Sequence, residues 1–134
     1  MSVATHILTD LPLFRNIKHQ DLEQIAVLMT QLKVTEGEVI MRQGALANTF
    51  YVILSGNYMI EFAEGRSLTI HQPGDIMGWS TMVAPYHYTG TGIALTDGEL
   101  LSMPGQELNQ LIRSNTALAD EFMQRINRVV NERM

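Results

Sequence analysis

The residues best suited to hold a ligand lie between Gln72 and Leu95, where a strand-like pattern is interrupted by a short segment rich in glycine, serine and threonine. Pro73-Gly74-Asp75 predicts a turn, because proline presets φ and glycine accepts positive φ. Gly78 to Thr81 then predicts the start of a short helix, whose first N–H groups have no partner within the helix. Together with the hydroxyls of Ser80 and Thr81, these N–H groups could hold an anion. The segment therefore predicts a binding site and gives no sign of catalytic chemistry.

Composition favours one domain and excludes several classes of function. The 134 residues, of which 46% are hydrophobic and 17% charged, suffice for one globular core, so we expect a single domain over residues 1–134. Nine basic against fourteen acidic residues give a net charge of −5, which excludes the broad basic face that nucleic acid binding needs. The absence of cysteine excludes disulfides and thiol chemistry. There is no basic leader and no apolar run of about 18 residues, so we expect a cytoplasmic protein without a membrane partner.

Helical patterns occupy residues 1–30. Val3 to Thr9 predicts a short helical turn, and Leu11 to Phe14 predicts an apolar segment that packs onto the domain. Lys18 to Met29 carries apolar residues at helical spacing, which predicts a helix. We expect these helical elements to pack against the rest of the domain.

Strand patterns occupy residues 31–104. Short segments that alternate apolar with polar residues are separated by glycine-containing turns, and the last of them before the final strand is Tyr88 to Leu95. Phe50 to Leu54 is an apolar run short enough to be a buried strand. Ser55-Gly56-Asn57 predicts a tight hairpin after it, and Glu64-Gly65-Arg66 predicts another turn. The fold class is therefore mainly β with flanking helices, an antiparallel sandwich or barrel of the jelly-roll kind.

Residues 105–134 predict two helices, and the last one, from Ala117 to Met134, has an apolar stripe. The stripe consists of Leu118, Phe122, Ile126 and Val129. It is wide for a helix at the end of a small domain, so it must cover another apolar surface. Two copies of the chain could pair along it as a symmetric homodimer, in which Arg125 would fall at one seam position. Alternatively, the stripe folds down onto the barrel of its own chain.

The order of glycines and turns resembles that of a known family. The residues that carry the likeness are Gly37, Ile40, Gly44, Tyr51, Ile53, Ser55-Gly56, Pro73-Gly74-Asp75 and Gly78. They are similar to the cyclic-nucleotide-binding domain of the bacterial catabolite activator and FNR-type regulators, over a region from about Leu11 to the last helix. The resemblance implies a jelly roll (double-stranded β-helix) with a phosphate-binding cassette at residues 74–89. It also implies a signalling role in which a bound ligand moves the long last helix, which closes the site and often dimerises.

Two cassette positions depart from the family members that bind cyclic nucleotides. Where those members have a glutamate for the ribose hydroxyl, this chain has Trp79, whose indole cannot accept that hydrogen bond. Where they have an arginine for the cyclic phosphate, this chain has Tyr88. Losing both contacts weakens binding by roughly two or more orders of magnitude. The residues left to bind a small ligand, whether a cyclic nucleotide or another small anion, are Gly78, Trp79, Ser80, Thr81, Tyr88 and Thr89.

Each candidate residue also has a structural explanation. Trp79 could stack on a ligand or pack in the core, and Tyr88 could donate to a ligand or fill the volume of a missing nucleotide. Ser80 and Thr81 could contact a ligand or cap a helix. Arg66 lies in a turn and is expected to be a solvated surface charge. A polar pocket in the cassette would favour a ligand, whereas a cassette filled by Trp79 and Tyr88 would favour a domain without a nucleotide.

Two hypotheses about function follow, and neither is enzymatic. In the first, the chain is a regulatory domain that senses a small ligand and relays binding through its last helix. In the second, it is a degenerate module that binds no nucleotide and serves as a dimerising protein-interaction domain. Catalysis is not expected, because no Ser/His/Asp or paired-carboxylate spacing is present. The histidines are dispersed without metal-ligand spacing, so no metal site is expected.

The resemblance also bears on DNA. Regulators of this kind carry a helix-turn-helix domain after the long helix, and the sequence ends at Met134 without one. We therefore expect no direct nucleic acid binding by this chain. A stand-alone sensing module and a piece of a longer regulator both remain open.

Overall fold

The computed structural model describes residues 5–82 and 86–133, and the helical segments predicted there are present. The helices are α1 (Thr5–Thr9), α2 (His19–Val27), α3 (Gly105–Arg113) and α4 (Thr116–Arg133). Single turns of 3-10 helix occur at Pro12–Phe14 and Trp79–Thr81. The predicted first and last helices include residues 3–4 and 134, which lie outside the described residues.

Strands in the described residues form two antiparallel sheets of four strands each. They are β1 (Thr30–Val34), β2 (Val39–Met41), β3 (Thr49–Ser55), β4 (Tyr58–Phe62), β5 (Ser67–Ile70), β6 (Ile76–Met77), β7 (Gly90–Ala94) and β8 (Gly98–Pro104). The strand orders are β1-β8-β3-β6 in one sheet and β2-β7-β4-β5 in the other. The predicted jelly roll with flanking helices is thereby confirmed.

Strand β3 separates two apolar cores. Phe50 and Val52 face the core that the helices cover, whereas Ile53 belongs to the core between the two sheets. Both faces of β3 are therefore buried, which explains why its sequence is an apolar run and lacks the alternation of a half-exposed strand. The prediction of a buried strand at Phe50 to Leu54 is confirmed.

The prediction of a tight hairpin at Ser55-Gly56-Asn57 is wrong. Strand β3 pairs with β8 and β6, and β4 pairs with β7 and β5, so this turn carries the chain from one sheet to the other. Gly56 adopts a φ of +99°, and the Tyr58 hydroxyl donates to the Ser55 carbonyl at 2.8 Å to close the crossing. The crossing lets apolar residues of both strands share the core between the sheets. The turn at Glu64-Gly65-Arg66, in contrast, joins β4 to β5 as a hairpin.

The apolar stripe of α4 lies on the barrel of its own chain, the second of the two predicted arrangements. Leu118, Phe122 and Ile126 are buried, and Val129 packs partly buried beside them. The Phe122 ring lies 6.2 Å from the ring of Phe14 and 6.3 Å from that of Phe50. Three of the four residues assigned to a dimer interface are therefore buried within one chain. The homodimer stays a prediction.

Arg125, which a paired stripe would place at its seam, has a role within the chain. Its guanidinium donates to the Leu13 carbonyl at 2.7 Å and pairs with Glu121 at 2.7 Å. These contacts tie α4 to the N-terminal 3-10 turn. The charge on the edge of the stripe thus links two elements of one chain and does not require a second copy.

Candidate functional site

Gly78 sets the course of the cassette. It follows β6 and adopts a φ of +83°, in the left-handed region that glycine favours. A Cβ atom at this position would lie 2.7 Å from the Thr49 carbonyl oxygen and 3.4 Å from Cε1 of Tyr88. The cassette backbone therefore lies directly against β3 and the Tyr88 ring. The predicted turn at Pro73-Gly74-Asp75 is present just before it.

The short helix predicted after Gly78 is a single turn of 3-10 helix. The N–H and the hydroxyl of Thr81 both donate to the Gly78 carbonyl, at 3.1 Å and 3.0 Å. The amide of Asn109 in α3 donates to the Thr81 carbonyl at 3.0 Å. Ser80 and Thr81 are both buried. The Thr81 hydroxyl therefore closes the turn, which is the structural alternative named for this residue.

Tyr88 fills the centre of the cassette. Its hydroxyl donates to the Thr49 carbonyl at 2.8 Å and accepts from the Thr49 N–H at 3.1 Å. The side chain is 6% exposed, and burial raises the pKa of its phenol above 10.0. Both hydrogen-bonding functions of the hydroxyl are thus used by the β3 backbone. Of the two predicted roles of Tyr88, the structure supports the one in which it replaces a nucleotide.

Among the described residues of the cassette, the space beside Tyr88 is closed. The space around Tyr88 has a volume of ≈ 0 Å³, and the other residues that line it are Met41, Ile60, Gly78, Trp79, Ser80 and Thr89. Most of the predicted ligand-binding residues therefore surround the same closed space. Thr81 lies apart from them and lines a separate groove.

Four side chains at the edge of the cassette form a cluster that we call the arginine corner: Phe62, Arg66, Trp79 and Arg133. The rings of Phe62 and Trp79 lie 6.4 Å apart. The Arg66 guanidinium carbon lies 4.3 Å from the Phe62 ring centre, and that of Arg133 lies 5.5 Å from the Trp79 ring centre. Arg66 also donates to the backbone carbonyl of Arg133. The last turn of α4 is thereby held against the cassette.

Arg133 is buried without full pairing. Its side chain is 8% exposed, and its Nη1 atom has no hydrogen-bond partner among the described residues. Desolvation lowers the pKa of the guanidinium, while the charges of Asp75 and Glu132 act in the opposite direction. A buried donor left without an acceptor costs about 1–3 kcal/mol, and more when it is charged. The arginine corner therefore contains a buried donor, Nη1 of Arg133, that lacks an acceptor among the described residues.

The sequence interpretation overlooked Arg133 and underestimated Arg66. Arg66 is exposed, as expected, and pairs with Glu64 at 3.2 Å, but it also contacts Phe62 and α4. Arg133 follows Ile126 by seven residues and so lies on the buried side of α4. That spacing was the available signal, because a charge in line with an apolar stripe must find an unusual environment.

A larger groove lies between α3 and the loop that precedes β3, beside the part of the cassette that contains Thr81 and Tyr86. It has a volume of ≈ 630 Å³ and includes Thr81, Arg113 and Glu107 in its lining. Leu46 is 62% exposed at its rim, and Tyr86 is 37% exposed. No sequence motif indicated it, because its walls come from separate segments that only folding brings together.

The two antiparallel sheets, the glycine-led turn between β6 and β7 and the last helix packed on the barrel define a jelly-roll domain with flanking helices. The chain belongs to the cyclic nucleotide-binding domain family, whose model matches residues 31–115. The predicted resemblance is thereby confirmed. This family is regulatory and not catalytic.

Similar proteins support the same assignment. The cGMP-dependent protein kinase egl-4 of Caenorhabditis elegans is 26% identical over 139 residues, which cover 98% of this chain and 18% of that protein. The chain thus spans about a fifth of that relative's length. A protein of Geobacter metallireducens GS-15 named for cyclic nucleotide binding has the same fold, with a TM-score of 0.89, 23% identity and 98% coverage of both chains. The catabolite activator protein of Thermus thermophilus follows with a TM-score of 0.72 and 22% identity, over 90% of this chain and 59% of that one.

The described ranges contain neither a cluster of metal ligands nor a membrane-spanning helix. Within residues 5–82 and 86–133, no group of three or more His, Cys, Asp or Glu side chains could hold a metal ion. His19 lies in a pair with Glu23 at 2.8 Å on the surface of α2. In this described part of the chain, no helix is both long and apolar enough to cross a membrane.

Proposed function

We propose that this chain is a non-enzymatic regulatory domain that senses a small ligand through the placement of α4, and that its cassette does not accept cyclic AMP or cyclic GMP. The observation that carries the proposal is the Tyr88 phenol, which fills the cassette and is bonded twice to the backbone of Thr49. A nucleotide would have to break both bonds and displace a buried ring. It would also lack the carboxylate and the guanidinium that the family places at Trp79 and Tyr88.

Contacts at the arginine corner support α4 as the moving part. Arg133 connects the last turn of the helix to Trp79, and Arg66 connects it to the β4–β5 hairpin. A ligand changes the position of the helix only if it binds one placement more tightly than another. A ligand that competes for these contacts has that property, because they exist in one placement of α4.

Nucleotide titration tests the proposal directly. Trp79 is the single tryptophan of the chain, so its fluorescence reports on the cassette. Titration with cyclic AMP and cyclic GMP up to millimolar concentration is expected to leave both the emission and the melting temperature unchanged. A saturable change in both would contradict the proposal and show that other groups replace the two missing contacts.

A double variant provides the matching gain-of-function test. Trp79→Glu with Tyr88→Arg places the family's carboxylate and guanidinium in the cassette and removes the ring that fills it. Charge-assisted contacts are worth about 1.5–3 kcal/mol each, so we expect cyclic nucleotide affinity to rise by roughly two to four orders of magnitude. Calorimetry measures it, since no tryptophan remains. Trp79→Glu with Tyr88→Phe is the control and should not bind. A folded Glu/Arg variant without affinity would contradict the roles assigned to these positions.

A further inference from the structure

Two cations meet where the β4–β5 hairpin contacts the end of α4. The Arg66 side chain donates to the Arg133 carbonyl, and both guanidinium groups lie on the aromatic pair of the arginine corner. In the described ranges, Arg66 has an ion pair with Glu64, and no ion pair is found for Arg133. Among the described residues, the two guanidinium groups of the corner thus have one carboxylate, that of Glu64, within ion-pair distance.

Arg133 is the group that is short of a partner. Arg133 is only 8% exposed, and its Nη1 atom has no hydrogen-bond acceptor in the described part of the chain. The acidic groups that influence it, Asp75 and Glu132, lie beyond ion-pair distance. Native structures rarely leave such a donor unpaired, and a buried donor of this kind can mark the binding site of an ion.

We infer that the arginine corner is the binding site of a small oxyanion, a carboxylate or a phosphate, held by the guanidinium groups of Arg133 and Arg66. A guanidinium presents planar pairs of N–H donors that match two oxygens of one anion. The anion supplies the acceptor that Nη1 lacks. The site is separate from the space that Tyr88 fills.

Binding at this site reaches α4 through Arg133. Because Nη1 is sealed from solvent, the guanidinium must turn away from Trp79 to meet an anion. Arg133 belongs to the last turn of α4, and Arg66 holds the carbonyl of that same residue. An anion therefore alters the contacts that fix the end of the helix. The inference rests on the proposed function for the movement of α4, and it adds the chemical class of the ligand.

Titration with simple anions tests the site in the whole chain. Sodium phosphate and sodium acetate are added at ionic strength held constant with sodium chloride, while the Trp79 emission and the melting temperature are followed. We expect a saturable change in both readouts with phosphate, acetate or both, and none with chloride alone. Phosphate and acetate are separate arms, so the preferred oxyanion is identified as well.

Three single variants show whether the response belongs to the corner. Arg133→Gln should abolish it, and Arg66→Gln should weaken it at least about tenfold, because each removes a charge-assisted pair. Arg128→Gln is the matched control, since Arg128 is an exposed arginine on the same helix, and it should respond like the unchanged chain. Circular dichroism verifies that all three variants are folded.

The outcomes separate this inference from the proposed function. No saturable response of the unchanged chain to either oxyanion overturns the inference, and so does a response that Arg133→Gln retains. A response to cyclic AMP that Arg133→Gln retains overturns the proposed function alone. A response to cyclic AMP that Arg133→Gln abolishes also overturns the proposed function, but it supports the oxyanion site.

Discussion

The cassette and the arginine corner lie side by side and share Trp79, yet they differ in how their polar atoms are paired. In the cassette, the Tyr88 hydroxyl donates and accepts within 3.1 Å, and the Thr81 hydroxyl bonds to the Gly78 carbonyl. In the corner, a guanidinium nitrogen of Arg133 is buried without an acceptor in the described residues. Complete pairing marks a site that needs nothing more, whereas incomplete pairing marks one that a ligand can complete.

The difference also explains a change of role within one family fold. Replacing the phosphate-binding arginine of the cassette by Tyr88 removes the charge from the interior and closes the space. Positive charge is present nearby all the same, on Arg66 and Arg133, which come from a hairpin and from the end of α4. The proposed oxyanion site thus lies at the edge of the cassette and not in its interior.

The largest expected effect tests how tightly the cassette is packed. Gly78→Ala should lower the free energy of unfolding by about 2–4 kcal/mol, because a side chain at positive φ is strained and its Cβ would meet the Thr49 carbonyl at 2.7 Å. Gly44→Ala is the matched control, since Gly44 has a φ of +85° and nothing within 4 Å of a Cβ. Urea denaturation measures both. Equal losses for the two variants would contradict the close contact.

A smaller loss is expected when the hydroxyl is removed from the cassette. Tyr88→Phe leaves the N–H and carbonyl of Thr49 without their partner, which should cost about 1–3 kcal/mol. Tyr86→Phe, at an exposed tyrosine, is the control and should be close to neutral. A neutral Tyr88→Phe would mean that the phenol only fills space.

The same phenol gives a pH dependence with a defined sign. Burial raises the pKa of Tyr88 in the folded state, so its neutral form is favoured there. Its contribution to stability is therefore complete below pH 10 and is lost as the pH rises through the higher folded value. Unfolding curves above pH 10 should fall less steeply for Tyr88→Phe than for the unchanged chain. Parallel curves would show that other groups account for the loss.

The smallest expected effect is at the corner, and it completes the contrast. Arg133→Met removes a buried charge whose pairing is incomplete and replaces it with an apolar chain, so the free energy of unfolding should change by less than about 1 kcal/mol in either direction. Arg128→Met serves as the exposed control. A loss above about 2 kcal/mol for Arg133→Met would show that the guanidinium is satisfied, and the distinction between the two regions would fail.

Local patterns predicted most elements because they follow from side-chain periodicity. The spacing of apolar residues in α2 and α4 and the alternation in β4 and β5 reflect which face each element buries. The hairpin predicted at Gly56 failed for a related reason, because a tight turn can join paired strands or strands of opposite sheets. The residues of the turn do not distinguish these cases, and the pairing of β3 with β8 decides between them.

The sequence indicated which residues belong to the candidate site, but it did not indicate whether the site is open to a ligand or filled by Tyr88. The sequence shows that Trp79 and Tyr88 stand where the family has a carboxylate and a guanidinium, and this alone predicts poor nucleotide binding. Whether Tyr88 faces a ligand or fills the cassette depends on its distance from Thr49, which belongs to β3 and is far from Tyr88 in the sequence. The corner was missed because Phe62, Arg66 and Arg133 are brought together by a hairpin and a helix far apart in the chain.

By itself, the sequence determined the class of fold and the family, because strand alternation, glycine turns and helical stripes are local properties that follow the chain. The tertiary structure alone decided three further points. They are the crossing between sheets after β3, the burial of the α4 stripe on its own barrel, and the meeting of two arginines beside Trp79. Each depends on contacts between residues distant in sequence, and the energy of such contacts comes from burial and pairing that no single segment contains.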